Sequence, residues 1–203
     1  MSHGFPNVLI VGHSFVKRLH SDLQCKFDLR AAVDFNLAQT STVSLHGIGG
    51  LTVLRLAQEL RLLFASEPLP GVVIFEIGTN DLSSQSPEVV IGVVLDLVDY
   101  LRSVESSAAV GVCKVIPRRQ RGTGLPLEDF NNKAATFNKM LEALFDDHQF
   151  VFVWEHIKLQ SLSRRVLLSD GIHLNAHGQY CLYRSYRGAI FQGISLLSNR
   201  PST

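Results

Sequence analysis

Short runs of consecutive apolar residues alternate along this chain with longer segments in which apolar residues recur every three or four positions. Unbroken runs of Val, Ile and Phe are typical of strands that are covered on both faces, because such strands have no solvent side. The sequence therefore predicts five strands, at residues 7–11, 42–47, 71–78, 108–116 and 150–154, of which the second has the weakest pattern.

The segments between these runs have the apolar spacing of amphipathic helices. Their apolar stripes begin at Val53, Val90, Phe130 and Tyr183, and a further helix is expected to start after Ser14. Alternation of strands and helices predicts an α/β domain with a parallel sheet and right-handed crossovers. No repeat or long linker divides the sequence, so we expect residues 1–203 to form one domain.

Polar and glycine-rich segments follow each predicted strand. They contain Gly12–Ser14, Gly47–Gly50, Gly78–Asp81, Pro117–Arg119 and, after the fifth strand, residues 169–175 with the sequence SDGIHLN. In a parallel sheet the carboxyl ends of the strands lie at one edge, where ligands bind in open α/β folds. The sequence therefore predicts that these five segments meet there.

The composition argues against several classes of protein, namely those that bind nucleic acid, span or bind membranes, or depend on disulfides. The chain has 203 residues, 46% apolar and 18% charged, and a formal net charge of +1, which gives no general electrostatic reason to bind nucleic acid or an anionic membrane. The longest apolar runs are too short for a transmembrane helix. The N-terminus lacks a basic leader with a cleavage site, and three cysteines without C-x-x-C spacing argue against a disulfide framework, so we expect a cytoplasmic location.

Three residues could form a nucleophilic serine site. Ser14 lies where the first strand passes into a helix, and a serine hydroxyl attacks only when a base accepts its proton. His173 is the candidate base, and Asp170, three residues earlier, could fix the imidazole tautomer. The alternative for each is a helix cap or a polar turn.

A tetrahedral intermediate also requires donors for its oxyanion. The backbone N–H groups of Ser14 and Gly50 and the side-chain amide of Asn80 are the candidates, with Gly49 as an alternative to Gly50. A side chain at Gly50 would block the approach of the substrate to the backbone. We expect Asp81 to hold its loop by accepting backbone N–H bonds.

Other polar residues have simpler interpretations. His173 and His177 have the spacing of zinc ligands, but the segment lacks the Glu of H-E-x-x-H, so we predict no metal and no cofactor. Arg118, Arg119 and Arg121 either face solvent or contact an anionic group of the substrate. The charge of Glu76, inside an apolar strand, would need a partner if buried.

Four blocks of the sequence together resemble the SGNH hydrolases, or GDSL-type esterases and lipases. They are VGHSF with Ser14, GIGG with Gly50, GTND with Asn80, and DGIHLN with Asp170 and His173, in the order that the family has. GIGG and the IPR…FN segment are also similar to platelet-activating-factor acetylhydrolase Ib catalytic subunits and to retroelement-encoded esterase domains of that family.

The resemblance implies a flavodoxin-like three-layer α/β/α sandwich with a five-stranded parallel sheet. It also implies metal-free hydrolysis of a small-molecule acyl ester through an acyl-enzyme, with Ser14, Asp170 and His173 as the triad and Ser14, Gly50 and Asn80 as the oxyanion hole. The chain departs from the family at His13, where Asp usually precedes the nucleophile.

Two other functions compete with the esterase. The substitution at His13 could leave a catalytically weak module that uses the same cleft to bind a ligand. A nucleic-acid module could use the Arg118–Arg121 loop, but the balanced charge and the absence of an aromatic-basic stripe argue against it.

Overall fold

The structure is a computed structural model that describes residues 6–26, 28, 30–64, 68–120, 125–160 and 165–198. The sheet has five strands, in the spatial order β2-β1-β3-β4-β5, and each neighbouring pair is parallel. The strands are β1 (Asn7–Gly12), β2 (Thr42–Gly47), β3 (Val72–Glu76), β4 (Ala109–Cys113) and β5 (Val151–Trp154). The predicted parallel sheet is confirmed.

Helices cover both faces of this sheet. They are α1 (Ser14–Gln24), α2 (Val53–Leu63), α3 (Pro87–Val104), α4 (Leu127–Phe145), α5 (Ile157–Gln160) and α6 (Ala176–Ser198). The apolar side chains of α1, α5 and α6 pack on one face, and those of α2, α3 and α4 pack on the other. This arrangement is the three-layer, flavodoxin-like α/β sandwich that the resemblance implied.

Alternate residues of the central strands enter the two cores. Val8 and Ile10 of β1 pack with α1 and α6, whereas Leu9 and Val11 pack with α2 and α3. Because both sets of side chains are buried, Val8, Leu9, Ile10 and Val11 are all apolar, which explains the unbroken apolar run. The edge strand β2 alternates between exposed and half-buried residues, in keeping with its weaker sequence pattern.

Two strands end earlier than their apolar runs predicted. The strand predicted over 71–78 ends at Glu76, and Gly78 has a positive φ of 94° that leaves the extended conformation. The strand predicted over 108–116 ends at Cys113. Val115 instead donates its N–H to Asn138 Oδ1 at 2.8 Å and accepts from Asn138 Nδ2 at 3.0 Å, so a side chain of α4 replaces the next strand as its partner.

Two short elements were not predicted, namely α5 and a 3₁₀ turn at Asp81–Ser83. Both have fewer than five residues, too few to produce a helical apolar period. None of the described helices has the length and apolar character that spanning a membrane requires.

Candidate active site

The loops that follow the strands converge at one edge of the sheet, as predicted, and hydrogen bonds join them. The second loop reaches the first through Ile48 N–H, which donates to Gly12 O at 2.9 Å. The first reaches the end of β3 through His13 N–H, which donates to Glu76 O at 3.2 Å. Asn80 Nδ2 donates to the carbonyl of the residue after Gly50 at 2.8 Å, so the third loop closes back on the second.

The fourth loop extends this chain of contacts in both directions. Arg118 Nη2 donates to Thr79 O at 3.0 Å and so holds the third loop, and Arg119 N–H donates to Gly171 O at 3.0 Å and so holds the fifth. Gln120 Nε2 adds a bond to Ser169 O at 3.2 Å. The segments that contain the candidate site residues therefore form one hydrogen-bonded rim.

Ser14 is the first residue of α1 and is half-buried. Its hydroxyl makes no hydrogen bond to another described residue, so it remains available to a reactant. Its backbone N–H belongs to the first turn of the helix, where N–H groups lack helical partners and the helix dipole favours negative charge. The helix cap, which was the alternative role for Ser14, is provided instead by His13.

Asp170 and His173 form a hydrogen-bonded pair. Asp170 Oδ2 lies 2.8 Å from His173 Nδ1, while Oδ1 accepts from the backbone N–H groups of Ile172 at 2.9 Å and His173 at 2.8 Å. Partial burial raises the pKa of Asp170, but the hydrogen bonds from His173 and Ile172 outweigh it and bring that pKa to about 2. The carboxylate therefore stays ionised at neutral pH and holds a proton on Nδ1, which leaves the Nε2 lone pair free.

His173 belongs to the fifth loop, which Arg119 N–H ties to the same hydrogen-bonded rim that contains the turn of Ser14. Its Nε2 atom makes no hydrogen bond to a described residue. His173 and Ser14 are not hydrogen-bonded to each other, and such contacts are often long until a substrate is bound.

The candidate oxyanion donors lie on two neighbouring loops. Gly50 is exposed and has a φ of 70°, which favours glycine, while a Cβ placed there would meet open space. The backbone conformation therefore favours glycine at this position, and the open space beside it leaves room for a substrate to approach the backbone. Asp81 Oδ1 accepts from Val53 N–H at 3.0 Å, as expected of a residue that holds the loop beside Asn80.

The arginines have different environments. Arg118 is half-buried, stacks on the ring of Phe130 at 3.7 Å and donates to Thr79 O and to Ser83 Oγ at 3.1 Å. Burial lowers the pKa of its guanidinium. Arg119 is exposed, and Arg121 lies outside the described residues. Arg118 therefore braces the loop that carries Asn80, a role that the sequence did not indicate.

The Cys113 thiol lies beside the buried carboxylate of Glu76, which has two hydrogen-bond donors with normal geometry among the described residues. Its Oε2 accepts from His156 Nε2 at 2.8 Å and from the Tyr186 hydroxyl at 2.9 Å. Burial raises the pKa of Glu76, but His156, the neighbouring His13 and the Tyr186 hydrogen bond reverse the effect, so its pKa lies below the usual range. These partners are 80 and 110 positions away in the chain, so local sequence patterns contain no sign of them.

In the described part of the chain, the residues close enough to share a metal ion are Glu76, Cys113 and His156, whose ligand atoms lie within 4.8 Å of one another. The direct hydrogen bond between His156 and Glu76 accounts for their proximity without an ion. Burial raises the pKa of the Cys113 thiol well above its usual value, which disfavours the thiolate that metals bind. His177, on the first turn of α6, is exposed and 3.8 Å from Cys181 Sγ.

Known proteins were compared with this chain by sequence and by structure, and the comparisons identify its family and its fold. The profile of the GDSL-like lipase/acylhydrolase family matches residues 11–180, which include every loop described above. No curated protein sequence matches the chain.

Several solved structures have the same fold. A proposed acylhydrolase from Bacteroides fragilis has a TM-score of 0.72 and 18% identity, over 96% of this chain and 92% of its own. A GDSL-like lipase from Bacteroides thetaiotaomicron has a TM-score of 0.71 and 16% identity, over 92% and 88% of the two chains. The carbohydrate acetylesterase Est24 from Sinorhizobium meliloti has a TM-score of 0.70 and 17% identity, over 92% and 99%.

Proposed function

The chain belongs to the GDSL-like lipase/acylhydrolase family, a family of carboxylic ester hydrolases, and on that premise we propose that Ser14, His173 and Asp170 form its catalytic triad. The observation that carries the proposal is the bond of 2.8 Å between Asp170 and His173, on the same rim of loops as Ser14. Its substrate would be a small-molecule acyl ester.

In the first half of the reaction, the Ser14 hydroxyl attacks the ester carbonyl while His173 Nε2 accepts its proton. Asp170 keeps the other proton of the imidazole on Nδ1 and stabilises the imidazolium that forms. Because the pKa of Asp170 is about 2, this carboxylate is ionised at every pH at which the imidazole can act as a base.

Charge that develops on the carbonyl oxygen requires donors that are already oriented. We assign this role to the backbone N–H groups of Ser14 and Gly50 and to the Asn80 amide. The helix dipole of α1 supports an anion at Ser14. Asn80 donates one amide hydrogen to the backbone of the second loop, which orients the amide and leaves its second hydrogen for the substrate.

The tetrahedral intermediate then collapses, the C–O bond to the alcohol breaks, and His173 returns the proton to the leaving oxygen. A water molecule, deprotonated by His173, attacks the acyl-enzyme in the same way, releases the carboxylic acid and restores the Ser14 hydroxyl. Each proton that His173 accepts is returned in the same half-reaction, so no cofactor is needed.

Hydrolysis of short acyl esters, such as p-nitrophenyl acetate and butyrate, tests the proposal. Replacement of Ser14 or His173 by alanine should lower kcat/KM by about 10³-fold or more. Ser21→Ala is the matched control, because Ser21 is an exposed serine on the same helix and its hydroxyl donates to Lys17 O. Unchanged turnover by Ser14→Ala would refute the assignment, and ligand binding without turnover by the wild type would favour the binding module.

A further inference from the structure

His13 occupies a constrained position at the start of α1. It is buried, with 1% of its surface exposed, and its Nδ1 accepts the N–H of Phe15 at 3.4 Å. An imidazole that accepts at Nδ1 and is neutral must hold its proton on Nε2. Burial lowers the pKa of His13 to about 4, so the ring is neutral at physiological pH.

The Nε2–H group of His13 points to the buried carboxylate of Glu76. His13 Nε2 lies 3.7 Å from Glu76 Oε1, too far for a hydrogen bond, and it has no other partner among the described residues. The contact is the attraction of a neutral N–H dipole to a carboxylate, and not a salt bridge, because His13 is uncharged. At this depth the attraction is weakly screened by solvent.

Glu76 is itself held from the other side. His156 and Tyr186 donate to Oε2, and the second ring nitrogen of His156 lies 2.8 Å from Ser185 Oγ, which also accepts Trp154 Nε1–H at 3.0 Å. Both of these donors bond to Oε2, whereas Oε1 is the oxygen that faces His13 Nε2, and the Cys113 thiol also lies against this carboxylate. The proposed catalytic mechanism uses none of these residues.

We propose that Glu76 is a positioning residue for the nucleophile: its Oε1 atom holds His13 in the Nε2–H tautomer, and this tautomer keeps the cap of α1 that fixes Ser14. The inference rests on the proposed role of Ser14. The opposite tautomer would place Nδ1–H against Phe15 N–H, two donors face to face, and the cap would be lost. The turn that orients the Ser14 hydroxyl and N–H would then loosen.

The charge state of His13 also matters to the reaction. During attack the imidazole of His173 becomes positively charged. The two histidines are close enough for their charges to interact, so a cationic His13 would oppose the formation of the imidazolium. A neutral ring that is fixed by a carboxylate caps the helix without this repulsion.

Glu76→Gln tests the inference because it can replace the acceptor oxygen that faces His13 Nε2 with a hydrogen-bond donor. The glutamine oxygen should remain between the two donors His156 and Tyr186, so that its NH₂ group takes the place of Oε1. A donor would then face His13 Nε2 and favour the Nδ1–H tautomer. Nitrogen-15 NMR of the labelled histidine rings, assigned to His13 with a His13→Asn variant, distinguishes the two tautomers directly.

Wild-type protein at pH 7 should show one neutral Nε2–H tautomer for His13, and Glu76→Gln should show Nδ1–H in part or in full. A cationic or Nδ1–H ring in the wild type would overturn the inference without any variant, and so would an unchanged tautomer in folded Glu76→Gln. Glu59→Gln is the control, since Glu59 pairs with Arg55 on the surface of α2, on the other face of the sheet from this network, and it should leave the His13 signal unchanged.

Kinetics supply the second test. Glu76→Gln should lower kcat about 10-fold at an unchanged KM, a loss that corresponds to about 1.4 kcal/mol. Asparagine at position 13 can cap the helix through Oδ1 and has no tautomer, so in a His13→Asn background the same replacement should change kcat less than about 2-fold. An equal loss in both backgrounds would show that Glu76 acts only through packing, and would overturn the inference.

These outcomes separate the inference from the proposed function. Turnover that does not depend on Ser14 would contradict the triad, while the NMR measurement would still decide the role of Glu76. Turnover that depends on Ser14, with an unchanged His13 tautomer in Glu76→Gln, would leave the triad intact and refute the inference alone.

Discussion

Acidification should destabilise the fold through His13, well before most carboxylates are protonated. The ordinary pKa of histidine in an unfolded chain is 6.5, whereas burial, together with the positive charges of Arg118 and of two other histidines, lowers the pKa of folded His13 to about 4 in spite of Glu76. Between these two values the unfolded chain binds a proton that the folded protein does not. The free energy of unfolding must therefore fall as the pH falls from 6.5 towards 4.

The size of this effect follows from the gap between the two pKa values. At 1.36 kcal/mol for each pKa unit, the gap from 6.5 to about 4 corresponds to about 3 kcal/mol. A typical domain has a free energy of unfolding of about 5–15 kcal/mol, so this single buried ring would account for a large part of the acid sensitivity of the protein. The loss of unfolding free energy is complete below about pH 4, where His13 is protonated in both the folded and the unfolded state.

Urea unfolding followed by circular dichroism, in steps from pH 7 to pH 4.5, measures this free energy directly. His13→Asn is the reference, because asparagine also caps helices but does not titrate. The wild type should lose about 2 kcal/mol more than His13→Asn over this range. His148, whose pKa is also lowered by partial burial, contributes equally to both proteins and cancels. Parallel stability curves for the two proteins would refute the reasoning.

Three further replacements have defined consequences. Gly12→Ala should lower the free energy of unfolding by about 1–3 kcal/mol in a urea titration, since the new Cβ would clash with the backbone oxygen of Glu76 in β3. Asp170→Asn should lower kcat by about 10³–10⁴-fold, because the amide cannot hold His173 in its reactive tautomer. Arg118→Ala should lower kcat about 10-fold for neutral esters by releasing the loop of Asn80; a higher KM for anionic esters alone would instead indicate substrate contact.

The sheet could be predicted because burial of its two faces determines which residues the strands contain. Each strand with two covered faces needs apolar residues at consecutive positions, and β1, β3 and β4 have them. The ends of strands were less predictable, because an apolar residue such as Val115 can leave the sheet and bond to a side chain of α4 without any change in its own character.

In the candidate site too, some contacts could be predicted from the sequence and others could not. Asp170 and His173 are three residues apart, so their contact could be expected from local spacing, and parallel topology brings Ser14 to the same edge. The partners of Glu76 and the support that Arg118 gives to Thr79 depend on long-range packing, which no local pattern records. His13, read from sequence as a departure from the family pattern, is a buried helix cap in the structure.

Covalent labelling with a fluorophosphonate, read by intact mass and by peptide mapping, tests most directly whether Ser14 is an activated nucleophile. If Ser14 is activated, we expect one adduct per chain, on Ser14, which is absent in Ser14→Ala and in His173→Ala and is retained in the Ser21→Ala control. An adduct that persists in Ser14→Ala, or folded wild-type protein that is not labelled, would contradict it.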